Sequence, residues 1–131
     1  MMVFLDTNVL IAAFAARGLC ADVLRVTLAE HDLIIGTQVL AEVERVLNHK
    51  LRMPETNSSE ITSFIRRHAE VIDASAPASW PNHDADDQWI VAAAMEGNAD
   101  VLVTGDQDLL EVADKIGIPI LSPRGFWELL R

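Results

Sequence analysis

Carboxylates recur at one kind of place in this sequence, just past short apolar runs. Asp6 follows Val3-Phe4-Leu5, and Asp106 follows Val101-Leu102-Val103 with Thr104 and Gly105 between, while Asp108 stands two residues further on. Glu42 lies in the helical stretch after the apolar run Leu33-Ile34-Ile35, and Asp84, Asp86 and Asp87 open a long apolar stretch that starts at Trp89. If those runs are strands of one open parallel sheet, the acids gather at its carboxyl edge, where such sheets place their sites. Gathering them is costly, since two carboxylates about 4 Å apart repel by roughly 4 kcal/mol at an effective dielectric of about 20. Either protons are taken up or cations neutralise the site. An all-oxygen donor set suits Mg²⁺ or Mn²⁺ rather than zinc. One or two such ions can activate water and stabilise the charge that develops on a phosphodiester. That chemistry needs neither a nucleophilic side chain nor a histidine.

Each acid also has a plainer use, because Asp at a strand end or helix start commonly caps the helix. Asp84 reads first as a cap of the helix that follows it. Asp108 could cap a short helix from Leu109, and Asp86 is balanced between the two roles. Glu42 and Glu44 flank the apolar stripe of their helix on opposite sides, so periodicity does not choose between them; Glu42 stands nearer the strand end.

The elements that must position these residues follow from apolar patterning. Thr7 or Asn8 can cap a helix through Val9 to Ala16, and Ala21 to Glu30 forms a second. Gly36 and Thr37 break the second strand and lead into a helix from about Gln38 to Lys50, with Val39, Leu40, Val43, Val46 and Leu47 as its stripe. Met53 to Ser59 is polar, contains Pro54 and reads as a loop. Ser59 then begins a helix with Ile61, Phe64, Ile65 and His68 on one side. Val71-Ile72 forms a short strand, and Ala74 to Asn82 is irregular. A deeply packed helix spans Ala85 to Glu96 and ends at Gly97 or Asn98. A short helix covers Leu109 to Lys115, and Ile118 to Leu121 is a last strand, placed at a sheet edge by Pro119. Phe126 to Leu130 is a closing helical turn. Continuous apolar strands alternating with helices predict a single α/β domain over residues 1–131, its parallel sheet covered by helices on both faces.

Composition narrows the function classes. The 131 residues are half hydrophobic, enough for a core without disulfides or zinc. A net charge of −10 opposes nucleic-acid binding through a generally positive surface. Convergent carboxylates holding cations weaken that objection, since the local field is then largely the metal's. The single cysteine, Cys20, excludes an internal disulfide and suits a reducing cytoplasm; it reads as a small apolar residue rather than a nucleophile. Val9 to Ala16 is too short to span a membrane, and Asp6 stands where a signal peptide would carry basic residues. The expectation is a soluble, cytoplasmic protein. His31, His49, His68 and His83 do not cluster; His83, beside the third acidic group, could touch substrate.

These residues resemble a known family. Phe4-Leu5-Asp6-Thr7-Asn8-Val9-Leu10 is similar to the opening signature of PIN-domain nucleases, and Val39-Leu40-Ala41-Glu42-Val43 to that family's helix bearing its conserved Glu. Asp84-Ala85-Asp86-Asp87, running into Trp89 to Ala94, resembles its third acidic motif, and Leu102 to Leu109, with Thr104-Gly105-Asp106-Gln107-Asp108, its fourth. Pro119 to Arg124 and Phe126 resemble the tail of one subgroup, the VapC-like toxin components of bacterial and archaeal toxin–antitoxin pairs. The likeness runs from Met2 to Leu129, with the motifs in the family's order. It implies a three-layer PIN-like α/β fold, Mg²⁺ or Mn²⁺ dependence, and endonucleolytic hydrolysis of RNA. A homodimer and a cognate antitoxin protein are implied as partners. Carried over residue by residue, Asp6, Glu42, Asp87 and Asp106 become the catalytic, metal-binding acids. Asp108 and Asp86 become extra ligands, and Asn8 and Thr104 polar supports. The subgroup often has Asp-Pro-Asp-Asp in the third motif; here Ala85 replaces the Pro. Arg17, Lys50, Arg52 and Arg124 are candidates for holding RNA phosphates, without a motif to single them out.

Four rivals stand against this reading. A catalytically weak or inactive PIN module acting through protein–protein contacts would normally have lost one acid, and none of the four is missing. A haloacid-dehalogenase-type phosphatase wants a second Asp where Asn8 stands, and a dinucleotide-binding fold wants a glycine-rich turn after the first strand. A response-regulator receiver wants paired acids near the start and a Lys after the last core strand.

Overall fold

The computed structural model describes residues 1–79 and 84–131. Among them five strands form one parallel sheet: β1 (Met2–Leu5), β2 (Asp32–Gly36), β3 (Ala69–Ile72), β4 (Val101–Val103) and β5 (Ile120–Leu121), in the order β3-β2-β1-β4-β5. Seven α-helices surround it in a three-layer α/β arrangement: α1 (Thr7–Ala15), α2 (Leu19–Glu30), α3 (Thr37–Arg45), α4 (Glu55–His68), α5 (Ala85–Glu96), α6 (Gln107–Glu111) and α7 (Pro123–Leu129). No helix among the described residues is long and apolar enough to cross a membrane.

β1 lies at the centre, and Val3, Phe4 and Leu5 are all fully buried. A strand with both faces covered shows no in–out alternation, which is why it reads as an unbroken apolar run. Its register with β4 pairs Leu5 with Val103, so the next residue on each strand, Asp6 and Thr104, emerge side by side. The Asp6 N–H donates to the Val103 carbonyl at 3.0 Å and closes the ladder there.

α5 approaches β2 closely. A Cβ on Gly36 would come within 2.9 Å of the Ala93 Cβ, so the helix can lie against the strand only because Gly36 has none. Ile90 to Ala94 are buried, as the all-round apolar pattern predicts, while Trp89 is half-buried and Met95 exposed at the helix flanks.

Five expectations need correction. Met53 to Ser59 is not a loop throughout: α4 starts at Glu55, directly after Pro54. The polar stretch hides an amphipathic helix whose inner face begins with hydroxyls. Ser58 and Thr62 are buried with Ile65, Ser58 Oγ donating to Asn48 Oδ1 and Thr62 Oγ1 to the Ser58 carbonyl. The helix expected to run regularly to Lys50 ends as α3 at Arg45 and continues as a π-helical turn over Val46–Lys50. The short helix expected over Leu109 to Lys115 begins earlier, as α6, and gives way to a 3₁₀ turn at Ala113–Lys115. The last strand shrinks to Ile120–Leu121. It is at the sheet edge as predicted, with the Pro119 carbonyl accepting from the Leu102 N–H at 2.9 Å. The closing helix starts at Pro123, three residues before Phe126, because Ser122 caps it and accepts from the Gly125 N–H at 3.0 Å. Cys20 is half-buried and burial pushes its thiol up, the behaviour of an inert cysteine.

Candidate active site

Asp6 is a carboxylate at the carboxyl end of the central strand and only 3% exposed. It is also the cap of α1, a role the sequence assigned to Thr7 or Asn8; the side chain that ends the strand is one residue better placed to reach the first helical amide. Its Oδ1 accepts from the Thr7 N–H at 2.7 Å. Its Oδ2 accepts from Thr104 Oγ1 at 2.7 Å and from Asn8 Nδ2 at 3.2 Å. Those donors favour the charged form, but burial outweighs them and, with the Asp106 charge adding to it, pushes the Asp6 carboxyl above its usual range.

Thr104, fully buried, ties the two central strand ends together. Its hydroxyl donates to Asp6 and accepts from the Asp106 N–H at 3.0 Å. Asn8 bridges the same gap, its Oδ1 accepting from the Gly105 N–H at 2.8 Å and its Nδ2 lying 3.4 Å from Thr104 Oγ1. Asp106 caps α6 by accepting from the Asp108 N–H at 2.9 Å. The cap is therefore Asp106 rather than Asp108.

Two further acids arrive from helices. Asp87, 7% exposed on the first turn of α5, has its carboxyl pushed up to about 7. Burial is the main cause; the charges of Asp106, Asp84 and Asp6 add to it, and the neutral carboxyl donates to Asp106. Glu42 on α3 is raised by burial and by Asp6 and Asp86, against the pull of Arg45 and Lys50. Asp84 caps α5, accepting from the Asp86 N–H at 2.8 Å, as its position in the sequence suggested.

These groups line one cavity of about 470 Å³. Asp6, Glu42, Asp84, Asp86, Asp87 and Asp106 all face it, with Asn8 and Thr7 in the wall and, among the described residues, no basic side chain in the lining. Asp108 is exposed and outside the lining, as are Arg17, Lys50, Arg52 and Arg124; His83 lies outside the described residues. Among the described residues no three acidic, imidazole or thiol groups are drawn together as a finished metal centre. The donor set nonetheless fits a hydrated Mg²⁺ or Mn²⁺: hard carboxylate oxygens in excess, mutual repulsion that a cation would relieve, and a buried Thr7 hydroxyl with no hydrogen-bond partner among the described residues. Asp6, Glu42, Asp87 and Asp106 are the residues that could hold it.

The family model of the PIN domain matches residues 2–108. The chain belongs to the PIN domain family. Its fold is shared by VapBC2 from Rickettsia felis, solved bound to a DNA fragment from its promoter (21% identity, TM-score 0.65, covering 92% of this chain and 97% of that one). It is shared by VapBC-1 from nontypeable Haemophilus influenzae (17% identity, TM-score 0.65, 95% and 99% covered). A third similar structure is the PIN domain endonuclease Utp24 (26% identity, TM-score 0.56, 92% and 84% covered). A search of curated proteins gave no match.

Sequence reasoning passed over two residues at this PIN domain's edge. Thr7 was read only as a cap, and its unpartnered hydroxyl has no signature in a sequence. Arg45 was hidden among surface charges, although it stands three residues after Glu42 and therefore nearly on the same helix face. Thr104 is where a single change should be most telling for the architecture. Thr104→Val keeps the shape but leaves Asp6 Oδ2 and the Asp106 N–H each short of a partner. Urea unfolding should show a loss of about 1–3 kcal/mol, with Thr104→Ser close to wild type; a Val variant as stable as wild type would remove the hydroxyl from the account.

Proposed function

We propose that this PIN domain is a Mg²⁺- or Mn²⁺-dependent endoribonuclease, acting in the cytoplasm as the toxin of a toxin–antitoxin pair. The observation that carries the reading is the convergence of acids from four separate stretches of sequence on one cavity, with Asp6 held rigidly at its floor. Asp6, Glu42, Asp87 and Asp106 are the metal-binding acids in this proposal, and Asp86 is an additional ligand. When bound there, a divalent ion supplies an activated water and neutralises charge on the scissile phosphate. The chain's own part is to hold the ligands. Thr104 and Asn8 fix the orientation of Asp6 Oδ2, and Thr104 also fixes the backbone of Asp106. The likeness to the endonuclease Utp24 supports hydrolysis of a phosphodiester within a chain. The likeness to two VapBC structures, together with the toxin-like tail from Pro119 to Phe126, supports an antitoxin partner; a homodimer, built from a single domain over residues 1–131, is part of the same proposal.

The test is purified protein with mixed RNA in Mg²⁺ or Mn²⁺, beside an EDTA arm and single-stranded DNA of matched length. Internal cleavage of RNA that stops with EDTA is expected. No cleavage together with no calorimetric metal binding would sink the nuclease reading in favour of a module that works through protein contacts. Equal cutting of DNA would sink the RNA preference alone.

A further inference from the structure

Three hollows lie next to one another at the carboxyl edge of the sheet, each sharing wall residues with the next. The acidic cavity shares Glu42, Asp86 and Ile90 with a hollow of about 240 Å³. That hollow shares Gln38, Val39 and Ile90 with a third, of about 310 Å³, which Trp89 also lines. Together they form a trough whose lining changes along its length. Carboxylates crowd the first part. Arg45 stands in the middle, the one basic residue on any of the three walls among the described residues. It is exposed and forms no ion pair within the described residues. Beyond it come the Gln38 amide and the half-buried Trp89, while the carboxylate at that end, Asp73, accepts from Thr37 Oγ1 at 3.3 Å.

The order of these groups matches the order of groups along a polynucleotide. A scissile phosphate belongs at the acids with their cation. A guanidinium is the side chain best shaped for the next phosphate, an indole face stacks on any base, and an amide can donate to and accept from a base edge. In a duplex the bases are stacked on one another and cannot reach such a platform, so the occupant is single-stranded. Arg45 also answers the objection from charge. A chain of net charge −10 that holds a polyanion needs at least one cation of its own along the path.

We infer that this trough is the subsite for the nucleotide flanking the scissile phosphate of a single-stranded RNA, with Arg45 holding its phosphate and Trp89 stacking on its base. The inference rests on the nuclease reading for the position of the scissile phosphate. Binding and cutting are therefore measured separately. Fluorescence anisotropy with a labelled single-stranded RNA oligonucleotide, in Ca²⁺ in place of Mg²⁺, compares wild type with Arg45→Ala, Arg45→Lys and Trp89→Leu. Arg45→Ala and Trp89→Leu should each weaken binding about tenfold, the scale of one stacked base or one charged contact. Arg45→Lys should recover part of the loss, and melting curves should stay at the wild-type value. Arg45 is exposed, so its variants carry the test even if Trp89→Leu folds poorly. Unchanged affinity, or an equal loss for the same sequence as a duplex, overturns the inference. If wild type cuts RNA and the variants bind normally, only the trough falls. If wild type does not cut but the variants bind more weakly, the nuclease reading falls and the trough stands. No binding by wild type removes both.

Discussion

Asp6→Asn should abolish metal-dependent RNA cleavage, with a loss on the order of 10²–10³ or more, the scale at which removal of one charge-stabilising group is felt. The protein should remain folded. Asn has the same shape, and burial of the Asp6 charge is already unfavourable enough to raise its carboxyl, so deleting the charge relieves one cost. It introduces another: Oδ2 accepts from both Thr104 Oγ1 and Asn8 Nδ2, and an amide NH₂ in that place would face two donors. These effects oppose each other, each about 1–3 kcal/mol, and the melting temperature in EDTA should move little. What should vanish is the added stability on titrating Mn²⁺, which for wild type grows as the site fills. A variant that still gains stability from Mn²⁺ and still cuts would show that Asp6 is a cap of α1 and nothing more.

The metal-free protein should become less stable as pH rises from about 4 to about 7, and Asp87 should be the main reason. Its carboxyl sits at about 7 in the folded chain against 3.8 for an ordinary Asp. A group that holds its proton more tightly folded than unfolded favours the folded state fully below the unfolded value. That advantage is lost as pH climbs through the folded value. At about 1.4 kcal/mol per unit, and allowing for its coupling to Asp106, the loss is on the order of 2–4 kcal/mol. For a chain of this size that is a fall in Tm on the order of 10 °C. Asp87→Asn, which stays neutral, should flatten the profile and melt above wild type at pH 7 in EDTA. Saturating Mg²⁺ should reverse the ranking at pH 7, because the charged carboxylate then has a cation to face. Differential scanning calorimetry across pH, with and without Mg²⁺, reads all of this; a wild-type profile that rises between pH 4 and 7 in EDTA would contradict the assignment.

The strands that carry Asp6 and Asp106 were legible because a fully buried parallel strand is written as an uninterrupted apolar run, and each run stops at or near its acid. The register of β1 on β4 then follows from the fold itself. Glu42 was harder. Helical periodicity places it and Glu44 on opposite sides of one stripe, and only the tertiary packing of α3 against α1 and α5 turns Glu42 to the cavity and leaves Glu44 exposed. The start of α4 was illegible for a different reason. Its buried face begins with Ser58 and Thr62, whose hydroxyls are satisfied by Asn48 and by their own helix, so no apolar stripe announces it. Arg45 could not be singled out at all, since an exposed Arg on a helix is ordinary until its neighbours across the groove are known.

The position of β1 sets how the two halves of the site respond to time. β1 is paired on both edges, so its amides should be among the slowest in the chain to exchange with deuterium, opening only when the whole sheet does. Asp106 instead begins a five-residue helix next to a single 3₁₀ turn near the edge strand, a region that can open on its own and exchange early. In hydrogen-exchange terms, the floor of the cavity belongs to the last unit to unfold and one of its walls to the first. Adaptation to a warmer host, or selection in the laboratory for a slower enzyme, would therefore find its tolerated changes around α6, where local opening can be tuned without unlocking the strand that holds Asp6.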